Sequence, residues 1–316
     1  MTKKEDKKPD RTGNMNDRLM KALRTVNFLS GRSMNEASLK KHRRAVEWVG
    51  RLASPKGDIR IRSFNVGDIP CEEITPEYAY NPNYAILYAH GGGYVSGGLE
   101  YARILGAKLA LATGFRTYTF AYRLAPENPY PAALTDGMTM WNYLTENLYR
   151  PDHVLLAGDS AGGNMVLCMT RELNGKKLPI PRMLLLFSPW TDMTGTSDTY
   201  DSNKDRDPIL TREYILDTSK AYIAGAGTPD DSRFSPLFGD LSGFPPALIM
   251  AGKNEILLDD SIRLRDRIIK CGGNARLDIE AKGWHVYQQM PIRMAERAMK
   301  RLSEYVSTEI YGKEPK

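Results

Sequence analysis

From residue 84 towards the C-terminus, short apolar runs alternate with longer segments whose apolar residues recur at helical spacing. The runs that predict strands lie at residues 84–90, 115–122, 153–158, 182–190, 246–252 and 275–283. The segments that predict helices lie at residues 99–113, 130–148, 161–174, 259–272 and 286–311. Runs that are apolar throughout, in alternation with helices, are typical of a mostly parallel sheet with helices on both faces. The sequence therefore predicts an α/β fold in which ligands bind beyond the carboxyl ends of the strands.

Two regions depart from this alternation. Residues 16–54 have helical spacing, and residues 192–240 carry polar, loop-forming sequence such as GTSDTYDSNKDRDP. We predict that both regions form a small cap over the main domain, which covers residues 55–316. Residues 1–15 are rich in charged residues and lack an apolar run, so we expect a solvated tail there.

Composition and charge exclude several classes of protein. The chain has 316 residues, of which 41% are hydrophobic and 26% charged, as in a soluble globular protein. Its net charge of +6 comes from lysines and arginines that are mixed with acidic residues and not interleaved with aromatic ones, so we expect no nucleic-acid partner. No stretch reaches the ~20 apolar residues of a membrane span, and no signal peptide is recognisable, which predicts a cytoplasmic protein without a membrane partner.

The cysteines and histidines do not predict a metal site. The three cysteines lie far apart and are odd in number, which fits neither a disulfide framework nor a zinc motif. The four histidines are equally scattered. We therefore expect no metal and no cofactor.

One motif predicts a nucleophile. Residues 158–162 read GDSAG, between the apolar strand HVLLAG and a helical segment, and they fit the pattern G-x-S-x-G. A sharp strand-to-helix turn of this kind holds the serine in a strained backbone conformation, which only small neighbours permit. The hydroxyl of Ser160 would then lie at a helix N-terminus, where free N–H groups favour developing negative charge.

The glycines after the first parallel strand predict an oxyanion hole. Residues 90–94 read HGGGY, and glycines let main-chain N–H groups approach a carbonyl oxygen closely. We favour Gly91 and Gly92 as donors together with Ala161, the residue after the nucleophile, and we treat Gly93 as a flexible third glycine. His90 would secure this loop by hydrogen bonds.

His285 is the predicted general base, because it follows the last strand and precedes the last helix, in the segment GWHVYQQM. This position brings it over the edge of the sheet towards Ser160. His153, in contrast, begins the strand that carries the nucleophile and lies at the opposite end of the sheet, and His42 belongs to a basic helical segment.

Taken together, HGGGY, YRLAPE at residues 122–127, GDSAGG and the late WHV resemble the hormone-sensitive-lipase family of α/β-hydrolase esterases. The resemblance covers about residues 46–305. It implies an α/β-hydrolase fold with a helical cap and hydrolysis of small or short-chain carboxylic esters, without metal or cofactor. The segment that begins SPWTDMTGTSDTY further resembles the branch with bacterial acetyl-esterase-like and monoterpene-lactone-hydrolase-like enzymes. Family members often form dimers through the last strands, which implies a homodimer.

The sequence departs from this family at the third member of the catalytic triad. The family's aspartate corresponds to Asn254 in the segment AGKNEILLDD, and an amide cannot balance the charge of a protonated histidine. Three alternatives remain open: Glu255 supplies the carboxylate, Asn254 orients His285 in a slow enzyme, or the third member lies elsewhere, for example at Asp259 or Asp260. If catalysis is lost, the chain would be a small-ligand binding protein on a hydrolase scaffold.

The remaining hypotheses concern packing and the substrate pocket. Arg123 and Glu127 of YRLAPE are predicted to form a structural ion pair below the pocket. Tyr94, Trp190 and Tyr222 are candidates for the lining of an acyl or alcohol pocket.

Overall fold

An eight-stranded sheet forms the centre of the computed structural model, which describes residues 35–53 and 57–312. In chain order the strands are β1 Ile59–Val66, β2 Ile69–Pro76, β3 Asn81–Ala89, β4 Phe115–Phe120, β5 Val154–Asp159, β6 Leu184–Phe187, β7 Ala247–Gly252 and β8 Ala275–Glu280. Their order across the sheet is β1-β2-β4-β3-β5-β6-β7-β8. Only the β1–β2 and β2–β4 pairs are antiparallel. The predicted mostly parallel α/β sheet is thus confirmed.

Helices cover the sheet on both faces. They are α1 Glu36–Ala53, α2 Leu99–Thr113, α3 Ala132–Asn147, α4 Ala161–Gly175, α5 Thr199–Ser202, α6 Arg212–Ile223, α7 Leu258–Lys270 and α8 Arg293–Tyr311. Two large apolar clusters lie on either side of the sheet. Every residue of β5, β6 and β7 is buried, and their apolar side chains from residues 154–157, 184–187 and 247–250 alternate between the two clusters. No helix in the described ranges has the length and apolar character that a membrane crossing requires.

The boundaries of several elements differ from the predicted ones. Helix α2 matches its prediction and ends at Gly114, whose φ of 73° allows its N–H to donate to the carbonyl of Ala110. The last helix starts only at Arg293, because a short 3₁₀ turn at Tyr287–Gln289 precedes it. The helical prediction for residues 16–54 is confirmed at Glu36–Ala53 by α1, whereas residues 16–34 and 54, and the tail predicted at residues 1–15, lie outside the described part of the chain.

The antiparallel hairpin β1–β2 was not predicted. Strand β1 reads IRIRSFNV, and none of its residues is fully buried. It lies at the edge of the sheet, where no continuous apolar run is needed, so a search for such runs misses it. The signal that could have found it is the alternation of polar and apolar residues on either side of Gly67-Asp68.

The region predicted as a cap insertion supplies α5, α6 and a 3₁₀ turn at Pro236–Phe238. Helix α6 lies against the loop after β3, where a Cβ atom built on Gly93 would be 3.0 Å from a methyl carbon of Thr218. The carbonyl of Tyr222 also accepts a 2.8 Å hydrogen bond from the N–H of Tyr130. Helix α6 therefore contacts the loop after β3 and the segment before α3, and a cap formed by this region stays a prediction.

Candidate active site

Ser160 occupies the sharp turn between β5 and α4. Its backbone has φ 52° and ψ −117°, a conformation that costs free energy for any residue with a side chain. Hydrogen bonds hold it there: the N–H of Ser160 donates to Phe187 O at 2.9 Å, and its carbonyl accepts from the N–H groups of Asn164 and Trp190. The serine is 7% exposed and precedes the first residue of α4, as the motif predicts.

The glycines of the motif are required by close backbone approaches. A Cβ atom on Gly158 would lie 2.3 Å from the carbonyl oxygen of Gly162, and one on Gly162 would lie 2.0 Å from the carbonyl oxygen of Ala89. Both distances are far shorter than any real contact of such an atom. The first turn of α4 can therefore pack against β3 and β5 only with glycine at these two positions.

His285 is attached to the same end of the sheet. The N–H of Val286, the next residue, donates to Oγ of Ser188 at 3.1 Å. Ser188 directly follows Phe187, whose carbonyl holds the backbone of Ser160. The candidate nucleophile and the candidate base are therefore both anchored at the carboxyl end of β6.

Glu255 is the carboxylate that contacts His285. Its Oε2 lies 2.9 Å from Nδ1 of the histidine, while its Oε1 accepts a hydrogen bond from the N–H of Gly252 at 2.9 Å. Both Glu255 and His285 are buried. Burial alone lowers the pKa of His285, but the hydrogen bond and charge of Glu255, with the charges of Asp207 and Asp159, raise that pKa above its usual value.

Asn254 aligns with the family's aspartate, but it is not the residue that contacts His285. The N–H of Asn254 donates to the carbonyl of Gly283 at 3.0 Å, which fixes the turn, and the neighbouring Glu255 is the residue directed at the histidine. Asp260 is engaged elsewhere, because its Oδ2 accepts from the N–H groups of Thr191 and Asp192. Among the open alternatives, the geometry favours Glu255.

The predicted role of Gly91, the first glycine of HGGG, as an oxyanion donor requires a correction. The N–H of Gly91 donates to Oδ1 of Asp159 at 2.8 Å, so it is not available to a substrate oxygen. The loop then turns sharply, with φ of 108° at Gly92 and 63° at Gly93. The candidate donors are therefore the N–H groups of Gly92, Gly93 and Ala161. The sequence could not distinguish these glycines, because the partner of Gly91 comes from a different strand.

Asp159, which sequence reasoning left without a role, organises this loop. It is fully buried, and besides the bond to Gly91 it accepts hydrogen bonds from the hydroxyls of Tyr88 at 2.5 Å and Tyr101 at 3.2 Å. The amide of Gln289 donates to it at 3.3 Å. Burial raises the pKa of Asp159, and the hydrogen bonds from Tyr88, Gly91 and Tyr101 oppose that effect. The carboxylate therefore connects the turn that carries Ser160, which we call the nucleophile turn, to residues 90–94, which we call the glycine loop.

His90 secures the glycine loop. Its Nδ1 lies 2.7 Å from the carbonyl oxygen of Gly91, and its ring stacks on Tyr122 with a centroid distance of 4.2 Å. Burial lowers the pKa of His90 to about 4, so the ring is neutral at pH 7. These contacts agree with the expectation that His90 secures the loop by hydrogen bonds.

The predicted ion pair within YRLAPE is wrong. Arg123 pairs with Asp136 at the start of α3, with 2.7 Å between Nη2 and Oδ1. Glu127 instead pairs with Arg43 of α1 at 2.7 Å. The two partners lie 13 and 84 residues away in sequence, so the local motif does not reveal them.

The three predicted pocket residues are almost fully buried. Tyr94 and Tyr222 stack with a centroid distance of 3.8 Å, and the hydroxyl of Tyr94 donates to Oδ1 of Asn164 at 2.8 Å. The indole N–H of Trp190 donates to the carbonyl of Asp192 at 3.0 Å. The stack attaches α6 to the loop after β3, and a role of the three residues in the substrate pocket stays a prediction. No group of three or more potential metal ligands occurs in residues 35–53 and 57–312.

Comparison with known proteins identifies the same architecture elsewhere. A family model described as alpha/beta hydrolase fold matches residues 86–289. The chain is 30% identical to an esterase of Acinetobacter venetianus over 260 residues, which cover 82% of this chain and 85% of that protein. It is 32% identical to an acetyl-hydrolase of Streptomyces hygroscopicus over 244 residues, with coverage of 77% and 79%.

Solved structures agree with these matches. An esterase from the bacterial hormone-sensitive lipase family superposes with a TM-score of 0.86 at 30% identity, covering 98% of this chain and all of that chain. EstE5, in a crystal soaked with p-nitrophenyl butyrate, superposes with a TM-score of 0.84 at 31% identity, covering 93% of this chain and 98% of its own.

Proposed function

Because this chain belongs to the hormone-sensitive-lipase family of α/β-hydrolase carboxylesterases, we propose that it hydrolyses small, short-chain esters through an acyl-enzyme on Ser160. The family makes the protein a carboxylic ester hydrolase. The observation that carries the proposed mechanism is the 2.9 Å contact between His285 and Glu255, since it supplies the carboxylate that the aligned position lacks.

In the first step, Ser160 attacks the ester carbonyl and His285 takes its proton. The carboxylate of Glu255 accepts the hydrogen on Nδ1, which leaves the lone pair of Nε2 to act as the base. As the histidine becomes charged, the buried carboxylate stabilises it. The raised pKa of His285 has this same cause.

The carbonyl oxygen becomes negative during the attack. We assign its stabilisation to the N–H groups of Gly92, Gly93 and Ala161. Donors of this type are fixed before the reaction begins, so they stabilise the transition state without reorganisation. Asp159 contributes by holding Gly91, which sets the path of the loop.

The remaining steps reverse the proton transfer. His285 donates its proton to the departing alcohol, and the acyl group stays on Ser160 as an ester. A water molecule then attacks the acyl carbonyl while His285 takes its proton. The bond between the acyl carbon and Oγ of Ser160 breaks, His285 returns the proton to Oγ, and the carboxylic acid is released. Acyl transfer of this kind needs no metal or cofactor, and the cyclic esters called lactones can enter the same cycle.

The binding-protein alternative depended on Asn254. With Glu255 against the histidine, the absence of an aspartate at position 254 no longer argues for lost turnover. No other observation on the described residues favours that alternative.

The test is hydrolysis of p-nitrophenyl acetate, butyrate and laurate by the purified chain and by Ser160→Ala. We expect the two short esters to be the better substrates and the variant to be inactive and unlabelled by a fluorophosphonate. Ser303→Ala, a substitution in α8 away from the site, serves as the control and should keep full activity. Turnover that survives Ser160→Ala, or that a chelator abolishes, would contradict the proposal.

A further inference from the structure

The turn that carries Glu255 is held by the inserted segment as well as by the sheet. We call residues 253–257 the acid turn. The side-chain amide of Asn203 donates to the carbonyl oxygens of Lys253 at 3.1 Å and Glu255 at 2.9 Å. Asp207 accepts a 2.9 Å hydrogen bond from the N–H of Ile256 through its Oδ2. The two side chains thus bind the backbone two residues before Glu255, at Glu255 itself and at the residue after it.

A third side chain completes this arrangement. The hydroxyl of Thr199 donates to the carbonyl of Ile256 at 2.8 Å and accepts from the N–H of Asp259 at 3.1 Å. We call Thr199, Asn203 and Asp207 the clasp. The backbone N–H groups of Lys253 and Asn254 bond to the end of β8 and to the segment after it, and the clasp supplies partners for backbone groups of Lys253, Glu255 and Ile256.

Asp207 differs from the other two members because it is charged. It is buried, and its other oxygen, Oδ1, accepts from the N–H groups of Ile209 at 2.8 Å and Leu210 at 2.9 Å. The N–H groups of Ile209, Leu210 and Ile256 are all hydrogen-bond donors, which suits an ionised carboxylate. Burial raises the pKa of Asp207, whereas the positive charge of His285 and these N–H groups oppose that effect.

The pKa of His285 is raised by carboxylates from three elements, namely Glu255 of the acid turn, Asp207 of the segment between β6 and β7, and Asp159 at the end of β5. Of these three carboxylates, it is Glu255 that contacts the ring, through the 2.9 Å contact to Nδ1. Asp207 therefore affects His285 in two ways. Its charge favours the protonated ring, and its hydrogen bond to the N–H of Ile256 fixes the residue next to Glu255.

We propose that Asp207 is a positioning residue for ester hydrolysis, which fixes the acid turn through Ile256 and stabilises the protonated His285 by its charge. This inference rests on the proposed function. It makes the segment between β6 and β7 part of the catalytic apparatus, because Asp207 of that segment holds the acid turn together with the sheet.

The test is Asp207→Asn, with kcat and KM for p-nitrophenyl butyrate measured from pH 5 to 9. Removal of a negative charge disfavours imidazolium, so the acid limb of the kcat profile should move to lower pH by on the order of one unit. The plateau kcat should fall about tenfold, because one pKa unit of stabilisation corresponds to that factor. KM should change little, since the charge on His285 develops in the transition state.

Two variants separate charge from packing. Asp207→Glu keeps the charge and should keep the acid limb near its original pH, even with a reduced kcat. Asp136→Asn removes another buried carboxylate, one that pairs with Arg123, and should lower thermal stability without moving the acid limb. If Asp207→Asn fails to fold, Asp207→Ser keeps a hydroxyl acceptor without the charge and is measured in the same way.

The outcomes distinguish this inference from the proposed function. An inactive Ser160→Ala together with an Asp207→Asn profile identical to the wild type would overturn the role of Asp207 alone. The same conclusion follows if Asp136→Asn shifts the acid limb as far as Asp207→Asn does. An active Ser160→Ala would instead overturn the proposed function itself.

Discussion

The carboxylate of Glu255 lies 2.9 Å from Nδ1 of His285, although the two residues are 30 positions apart in the chain. The second oxygen of the carboxylate accepts the N–H of Gly252, the last residue of β7. With one oxygen fixed by the sheet and the other on the ring, the glutamate determines both the orientation of the histidine and which nitrogen carries the hydrogen.

We predict that Glu255→Gln reduces kcat roughly 10³- to 10⁴-fold, as loss of the triad carboxylate does in a serine protease. The amide cannot balance the imidazolium charge, and its NH₂ group can select the wrong tautomer of His285. KM should change much less. Steady-state kinetics with p-nitrophenyl butyrate measures both constants.

Asn254→Asp is the matched variant at the neighbouring position. Since the backbone N–H of Asn254 fixes the turn and Glu255 already meets the ring, kcat should change by no more than a few-fold. A large gain in kcat for Asn254→Asp, combined with a mild loss for Glu255→Gln, would show that position 254 supplies the third member of the triad.

A second prediction concerns pH. His285 must be neutral to accept the proton of Ser160, so activity should fall as the pH drops below its pKa. Because the carboxylates around it raise that pKa, the midpoint of the acid limb of kcat/KM should lie above about 6.5, the usual value for histidine. The profile of kcat/KM from pH 5 to 9 tests this, and a midpoint well below 6 would show that burial dominates.

A third prediction concerns the loop that Asp159 holds. Asp159→Asn removes the charge and directs amide hydrogens at some of the donors that now surround the carboxylate. The glycine loop should lose its fixed position, and kcat should fall by about 10² with a smaller change in KM, as expected for a damaged oxyanion hole.

Tyr101→Phe is the control for this experiment. It removes only the 3.2 Å hydrogen bond from the Tyr101 hydroxyl and leaves the 2.8 Å bond between Asp159 and Gly91 in place. Its effect on kcat should be several-fold smaller. Equal losses in the two variants would mean that general packing, rather than the hold on Gly91, explains the result.

Most of the central fold could be predicted because parallel strands that are buried on both faces leave a continuous apolar signal. Strands β5 and β7 are of this kind, and their predicted and observed positions agree closely. Strand β1 was missed because it is an exposed edge strand. The late start of the last helix was missed because a 3₁₀ turn after His285 shares its apolar spacing.

The candidate site was predictable where local sequence determines local geometry. Gly158 and Gly162 are needed within the turn of Ser160 itself, so the motif alone points to them. The partner of Gly91 and the choice between Asn254 and Glu255 depend on side chains that meet across the fold. The spacing of residues along the chain does not indicate which distant side chains will be in contact.

The last prediction tests the packing of the nucleophile turn. Gly162→Ala places a methyl group within 2.0 Å of a backbone oxygen of β3, and neither the helix nor the strand can move away without loss of other contacts. We expect a loss of at least about 3 kcal/mol in the free energy of unfolding, together with loss of activity. Gly175→Ala, at the other end of the same helix, meets nothing within 4 Å. Since alanine favours helix over glycine, that variant should be unchanged or more stable by about 0.5–1 kcal/mol. Urea unfolding of both variants measures the difference, and a Gly162→Ala protein of wild-type stability would show that α4 does not pack against β3 as closely as the structure has it.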